Sequence, residues 1–227
     1  MRLKIIMLAF CQMLLVWMYA TDSTSLAEAL KNPTAIRSLN LSDKGLTELP
    51  ESIGKLTNLE QLNVSSNKLT MLPKALFTLK KLKQLNLTAN RLFILPSDIY
   101  KLENLEELEI GYNKIIALPK EITTLSKLRR LVVTKNGLKV MPVDMSPMVS
   151  LEIVDLAYNS LVGIPGAVTS LKKLKALDIS FNKNLMRYPP QIIKLTMLRV
   201  LNVKGCMFTS KQLDMLTTLL SDCQIMY

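Results

Sequence analysis

The 227-residue sequence predicts an α/β solenoid: a right-handed arc with a parallel concave sheet of about eight strands and short helical caps. Three observations lead to this prediction. Leucines recur at a spacing of 23 residues, an asparagine recurs at the same spacing, and aromatics make up only 5% of a chain that is 49% hydrophobic. We therefore expect a core of many similar leucine layers rather than one irregular aromatic cluster.

The spacing is clearest in the first apolar position of each repeat. The repeating unit is LxxLxLxxNxLxxLPxxIxxL, and it extends through residues 36–206. Alternate side chains of a strand point to opposite faces, so Leu62 and Val64 are expected to face a core that neighbouring strands complete. The first column comprises Ile36, Leu59, Leu82, Leu105, Leu128, Leu151, Leu174 and, after 24 residues, Leu198.

A column of asparagines follows the strands. An amide side chain both donates and accepts hydrogen bonds, so each can satisfy backbone groups of its own turn and of a neighbouring repeat. A column of prolines, beginning with Pro50 and Pro73, fixes φ where the convex return begins. The predicted structural column is Asn67, Asn90, Asn113, Asn136, Asn159 and Asn182.

These motifs resemble the leucine-rich-repeat superfamily. The LPxxIxxL half, as in the segment from Leu69 to Pro73, resembles the class found in Ras-group, scribble-like and many bacterial repeat proteins. The resemblance covers most of the chain and is specific for the fold. It implies a leucine-rich-repeat solenoid that recognises another macromolecule through its concave sheet, and it does not identify the partner.

The first twenty residues differ from the repeats. Arg2 and Lys4 precede an almost wholly apolar run, and polar residues begin at Thr21. This pattern predicts a signal peptide over residues 1–20 and a secreted or cell-envelope protein. The alternatives are an uncleaved membrane anchor and a cytoplasmic protein in which this segment is buried.

Helix-start signals flank the repeats. Ser25 with Glu28, and Thr209 with Gln212, have the spacing of a capping box. We expect an N-terminal helical cap over residues 21–35, the repeats over 36–206 and a C-terminal helical cap over 207–227. The tail at 224–227 is a candidate for a final short strand.

The composition argues against an enzyme. The chain contains no histidine, which removes the usual general base and the commonest metal ligand at neutral pH. We expect no catalytic residue, no metal and no cofactor.

Two cysteines remain after the predicted signal peptide. Cys206 and Cys223 either form a disulfide in an oxidising compartment or stay as two separate buried thiols.

The formal charge of +11 is spread along the chain. A nucleic-acid-binding protein would concentrate Lys and Arg in a tract with interleaved aromatics, so no nucleic-acid partner is expected. The predicted partner is a protein, with a glycan as the alternative, and the chain is expected to be a monomer. Membrane contact is expected only through an uncleaved N-terminal segment or through weak attraction of the basic surface.

Two sets of strand residues are predicted to face the concave side. One column alternates in charge and should support the strand register: Arg37, Glu60, Lys83, Glu106, Arg129, Glu152 and Lys175. From the fourth repeat onward, aromatics flanked by charge indicate an interface hot spot. The alternative is that these residues are incidental solvent-facing positions. The predicted partner-binding residues are Glu107, Glu109, Tyr112, Arg130, Val132, Lys135, Ile153, Asp155, Tyr158 and Phe181.

The sequence favours a secreted or envelope-attached recognition module. The alternative is an intracellular scaffold of the Ras-group kind that regulates a small GTPase or a kinase pathway.

Overall fold

A computed structural model describes residues 25–164 and 166–227. Its main feature is one open, curved parallel sheet of nine strands, in which strand order follows the order of the chain. The predicted parallel sheet is confirmed, and the tail contributes the ninth strand. The strands β1 to β9 are Ser38–Asn40, Gln61–Asn63, Gln84–Asn86, Glu107–Glu109, Arg130–Val132, Ile153–Asp155, Ala176–Asp178, Val200–Asn202 and Gln224–Met226.

Equivalent residues of successive repeats pair across the sheet. Leu39 lies beside Leu62, and Leu85 lies beside Leu108. The central residue of each strand from β1 to β8 is no more than 1% exposed. A slip of one residue would turn this whole leucine column toward solvent, so the hydrophobic pattern fixes the register.

Short 3-10 helices form the convex side. A proline caps five of them, as Pro73 does with φ of −69° ahead of Lys74–Thr78. Within the described residues the fifth repeat has no such helix, and there the Ser146 amide instead bonds to the Asp144 side chain ahead of Pro147. The 3-10 helices are Glu51–Lys55, Lys74–Thr78, Ser97–Lys101, Lys120–Thr124, Gly166–Ser170 and Pro190–Lys194.

Two α-helices cover the ends of the leucine core. Helix α1 (Leu26–Ala29) begins with the Glu28 amide donating to Ser25 Oγ at 3.1 Å. Helix α2 (Ser210–Leu219) begins with a complete capping box between Thr209 and Gln212, and it buries Leu216.

The first part of the chain lies outside this description. The predicted signal peptide, residues 1–20, and residues 21–24 of the predicted N-terminal cap are not among the described residues. In the described part, none of the helices combines the length and the apolar character needed to span a bilayer.

Candidate functional site

Asparagines tie each strand end to the neighbouring repeats. The Asn159 Nδ2 atom donates to the carbonyls of Val133 at 2.9 Å and Leu156 at 3.0 Å, and its Oδ1 accepts the amide of Leu138 at 3.0 Å. The other five asparagines of the column make equivalent bonds. Because the bonds to Val133 and from Leu138 cross between turns of the solenoid, this edge of the sheet is held rigidly.

The residue before each Asn-column position has a left-handed backbone. Its amide donates to a carbonyl of the next repeat, as Tyr112 does to Thr134 at 2.8 Å and Lys135 to Ala157 at 2.9 Å. This conformation costs an L-residue roughly 1–2 kcal/mol, which these inter-repeat bonds help to offset. The non-glycine residues concerned are Asp43, Ser66, Ala89, Tyr112, Lys135, Tyr158 and Phe181.

Four of these left-handed residues stack into what we call the aromatic ladder: Tyr112, Lys135, Tyr158 and Phe181. Lys135 Nζ lies 4.6 Å from the Tyr112 ring centroid and 5.2 Å from that of Tyr158. The rings of Tyr158 and Phe181 stack with centroids 4.3 Å apart. Tyr112 and Tyr158 are nevertheless 49% and 45% exposed, so the ladder presents pre-ordered aromatic surface to solvent.

Gly205 ends the aromatic ladder. It takes the left-handed position of the next repeat, with φ of +69°. A Cβ atom at this position would lie 2.8 Å from the Phe181 ring, so only glycine allows that ring its present place.

Beside the ladder lies what we call the acidic floor: Glu107 and Glu109 on β4, Asp155 on β6 and Asp178 on β7. Arg130 on β5 is the basic strand residue between them, and its Nε atom donates to Glu109 Oε1 at 3.1 Å. These four strands thus bring four carboxylates and one guanidinium to the floor, which makes this part of a strongly basic chain locally acidic.

Three polar atoms at the acidic floor are buried without a hydrogen-bond partner among the described residues. They are Arg130 Nη1, Glu107 Oε2 and Gln84 Oε1. Such groups are costly to leave unpaired, so they lower the stability of this part of the sheet.

The structure corrects two of the predicted solvent-facing residues. Arg130 is only 6% exposed and Val132 only 8%. The strand pairing places Val132 between Glu109 and Asp155. Ile153 is half-buried on β6. The accessible surface is therefore narrower than the predicted set and is centred on the aromatic ladder.

Burial perturbs the acidic floor electrostatically. Desolvation raises the pKa of Asp155 to about 6, and the adjacent Asp178 carboxylate adds to the rise while the Ala157 amide opposes it. Desolvation also raises the pKa of Glu107. These carboxylates are held in a setting that disfavours their charged form.

Neutral asparagines occupy the position of Asp155 in other repeats. The Asp155 Oδ1 atom accepts the amide two residues ahead at 2.9 Å, and Asn63 and Asn86 accept the equivalent amide at the same distance. An amide thus satisfies the backbone without a buried charge. The carboxylates of Asp155 and Asp178 are therefore not needed for the turn.

We expect Asp155→Asn to stabilise the fold near neutral pH. The ordinary aspartate pKa is near 3.9 and the folded value is about 6, so the folded state binds the extra proton between these values. The Asp155 contribution therefore makes stability fall as pH rises from about 4 to 6. In urea unfolding at pH 7.5, the free energy of unfolding of the variant should exceed that of the unmodified chain by roughly 2 kcal/mol. The difference should be smaller at pH 4.5. Equal stability at pH 7.5 would contradict the argument.

The alternating column forms two three-residue ion networks. Glu60 pairs with Arg37 at 2.7 Å and with Lys83 at 2.6 Å. Glu152 pairs with Arg129 and Lys175 in the same way, whereas Glu106 makes no ion pair within the described residues. The Lys83 hydrogen bond lowers the pKa of Glu60. Each exposed pair contributes only ~0–1 kcal/mol, which suits a role in register.

Both described cysteines are free thiols. Cys206 and Cys223 are partly buried, and desolvation raises the pKa of Cys223 to about 11 and also raises that of Cys206. A thiol with a raised pKa is a poor nucleophile at neutral pH, so neither is placed for chemistry.

The predicted partner-binding set leaves out part of this site. Asp178 pairs directly with Asp155 across the sheet and belongs to the acidic floor. The signal was present, because these two residues are 23 positions apart and thus in the same column. Gln84 and Gly205 carried no comparable signal.

Short parallel strands joined by returns of nearly constant length define a solenoid repeat protein. Two family models match the sequence: a leucine-rich repeat region over residues 4–111 and a leucine rich repeat over residues 126–183. The chain belongs to the leucine-rich-repeat superfamily. The comparison with curated protein sequences gave no significant match.

Solved structures agree with this assignment. A leucine-rich-repeat protein of Leptospira interrogans is 32% identical, with a TM-score of 0.74 over 90% of this chain. The leucine-rich-repeat domain of the type III effector XopL is 22% identical, with a TM-score of 0.69 over 88% of this chain and 79% of that domain. The chain spans 57% of the Leptospira protein.

A plant receptor shares the fold. The leucine-rich-repeat ectodomain of the Arabidopsis thaliana receptor kinase GASSHO1/SCHENGEN3, solved in complex with CASPARIAN STRIP INTEGRITY FACTOR 2, is 22% identical with a TM-score of 0.68. The match covers 88% of this chain and 28% of that ectodomain. At this identity the likeness concerns the fold alone.

Proposed function

We propose that this chain is a non-catalytic recognition module that binds a protein partner through the acidic floor and the aromatic ladder. The observation that carries the proposal is the choice of Asp over Asn at positions 155 and 178. Asn satisfies the same turn at Asn63 without a buried charge. Carboxylates that are not needed for the turn, one of which (Asp155) is desolvated, are expected to serve binding.

The aromatic ladder supports the same proposal. Aromatic side chains beside charge are typical of residues that dominate binding energy. Tyr158 and Phe181 are already stacked, and Lys135 is held between two tyrosines, so little side-chain entropy is lost on binding. Leucine-rich repeats are generally protein-interaction modules, and the related plant ectodomain was solved bound to its factor.

A triple replacement of Tyr112, Tyr158 and Phe181 by Ala tests the proposal. Ala89 occupies the equivalent left-handed position in the third repeat, so alanine is compatible with this backbone. Proteins captured by the immobilised chain and identified by mass spectrometry should be lost from the triple variant. We expect at least about a 30-fold weaker affinity for the captured partner, corresponding to ~2 kcal/mol.

Tyr100→Ala is the matched control for the triple replacement. Tyr100 is 45% exposed, as Tyr158 is, but it lies in a convex 3-10 helix. The control should keep the partner, and circular dichroism should show both variants folded. Unchanged capture by a folded triple variant would refute the concave site.

We further propose that the chain is secreted or attached to the cell envelope, supported by the apolar run that ends at Ala20. An intracellular scaffold would keep this segment. Fractionation with N-terminal sequencing distinguishes the two, because a secreted chain should begin at Thr21.

We also propose membership of the LPxxIxxL class, which the capping prolines support. The same proposal divides the chain into caps at 21–35 and 207–227 around repeats at 36–206.

A further inference from the structure

One flank of the solenoid carries cations and no carboxylate. It consists of the segments between the Asn column and the convex returns in the second to seventh repeats, which we call the basic flank: residues 68–71, 91–94, 114–117, 137–140, 160–163 and 183–187. These segments contain no Asp or Glu, whereas the first repeat has Glu48 at the corresponding place. Their cations are all exposed: Lys68, Arg91, Lys114, Lys139, Lys183 and Arg187.

The same flank exposes large apolar side chains. Each segment buries one leucine or isoleucine in the core, yet the two residues that follow point outward. Ile94 is 66% exposed and Val162 is 63% exposed. The exposed set is Met71, Phe93, Ile94, Ile116, Val140, Val162 and Met186.

Backbone hydrogen bonds bring these side chains into one strip. The amide of Arg91 donates to the Leu69 carbonyl at 2.8 Å, and that of Lys114 donates to the Leu92 carbonyl at 2.9 Å. Ala117 and Val140 form a parallel bridge in the same stack. With about 4.8 Å between repeats, six stacked segments give a strip roughly 24 Å long.

The chemistry of the strip favours one kind of partner. Among the described residues, none of the six cations forms an ion pair, and the Lys114 ammonium lies 5.1 Å from the Phe93 ring. Lysine is depleted at protein–protein interfaces. Lys and Arg rimming apolar side chains are instead typical of surfaces that lie in an anionic membrane interface, where the long stems reach toward the headgroups.

We propose that the basic flank binds the surface of a bilayer containing anionic phospholipids. The six cations contact the phosphates, and the apolar strip enters the headgroup region. The concave sheet lies on a different side of the repeats, so the acidic floor and the aromatic ladder stay free for a protein partner while the chain is on the membrane.

Vesicle flotation of the full chain tests this proposal. The probes are vesicles of phosphatidylcholine alone and of phosphatidylcholine with phosphatidylglycerol at about three to one. The quantity measured is the ratio of binding to the anionic over the neutral vesicles. All variants share residues 1–24, so a change in this ratio reports on the flank. The unmodified chain should prefer anionic vesicles, and added salt should reduce that preference.

Two double variants change the flank in different ways. Lys114→Glu with Lys139→Glu reverses two of its charges, and Ile94→Ser with Ile116→Ser removes part of its apolar strip. Each should lower the binding ratio at least about tenfold. The matched control, Lys173→Glu with Lys194→Glu, makes the same change in net charge at exposed lysines outside the flank, and it should stay within about twofold.

Three results would overturn the proposal. The control variant could lose as much of the binding ratio as the variant with reversed flank charges, which would indicate attraction by net charge alone. The variant with Ile94→Ser and Ile116→Ser could keep the full binding ratio of the unmodified chain. Polyglutamate could bind the chain through the flank lysines while anionic vesicles do not, which would indicate an acidic protein partner. Flotation by the Tyr112, Tyr158 and Phe181 triple variant should remain normal, because that variant tests the concave site only.

Discussion

Asn159→Ala is expected to lower the free energy of unfolding by about 3–4 kcal/mol. The Leu138 amide, at a residue with no exposed surface, would lose the Asn159 Oδ1 acceptor. An orphaned buried amide costs ~1–3 kcal/mol, and each further buried hydrogen bond is worth ~1 kcal/mol. The carbonyls of Val133 and Leu156 would keep a second asparagine donor each, which limits the total loss.

Asn63→Ala provides the control for this loss. Asn63 is half-buried, and its Oδ1 accepts only the Ser65 amide within its own turn. Its replacement should cost no more than about 1 kcal/mol in the same urea titration. Equal losses at Asn63 and Asn159 would show that the Asn column does not tie the repeats together.

Leu108→Ala is expected to cost about 3–5 kcal/mol. Leu108 is fully buried in β4, and the sheet register fixes Leu85 and Leu131 on either side of it. Because these neighbours cannot move without breaking the register, the cavity left by the smaller side chain stays open. The measurement is the midpoint of urea unfolding at constant m-value.

Leu219→Ala is the matched control for Leu108→Ala. It is the same chemical change in helix α2, at a side chain that is 39% exposed. Its cost should be below about 1 kcal/mol. A similar cost at both positions would mean that the leucine layers do not behave as a close-packed core.

The proposed concave site and the proposed basic flank place two different chemistries on adjacent parts of each repeat. The acidic floor of Glu107, Glu109, Asp155 and Asp178 lies within a chain of net charge +11. The basic flank, which lies beyond the Asn column, contains no Asp or Glu. Such separation of charge allows one repeat protein to contact two partners without competition.

The repeat pattern predicted the fold well because solenoid order is local in sequence. Each leucine meets its equivalent 23 or 24 residues away, so a repeated position in the sequence becomes a contact in space, as Leu39 with Leu62 and Leu177 with Leu201 show. The candidate site was harder to predict. Exposure depends on how the side chains of neighbouring strands pack together. Arg130, which is paired with Glu109, and Val132 are buried despite facing the concave side.

The sequence by itself determined the number of repeats, their register and the placement of the Asn column, since all three follow from periodic burial of leucine. Only the tertiary structure decided which side chains meet between repeats. The stack of Tyr158 on Phe181, the desolvation that raises the pKa of Asp155 and the union of six short segments into one basic flank all depend on distances between neighbouring turns. Those distances are set by backbone hydrogen bonds across the solenoid, which no single repeat contains.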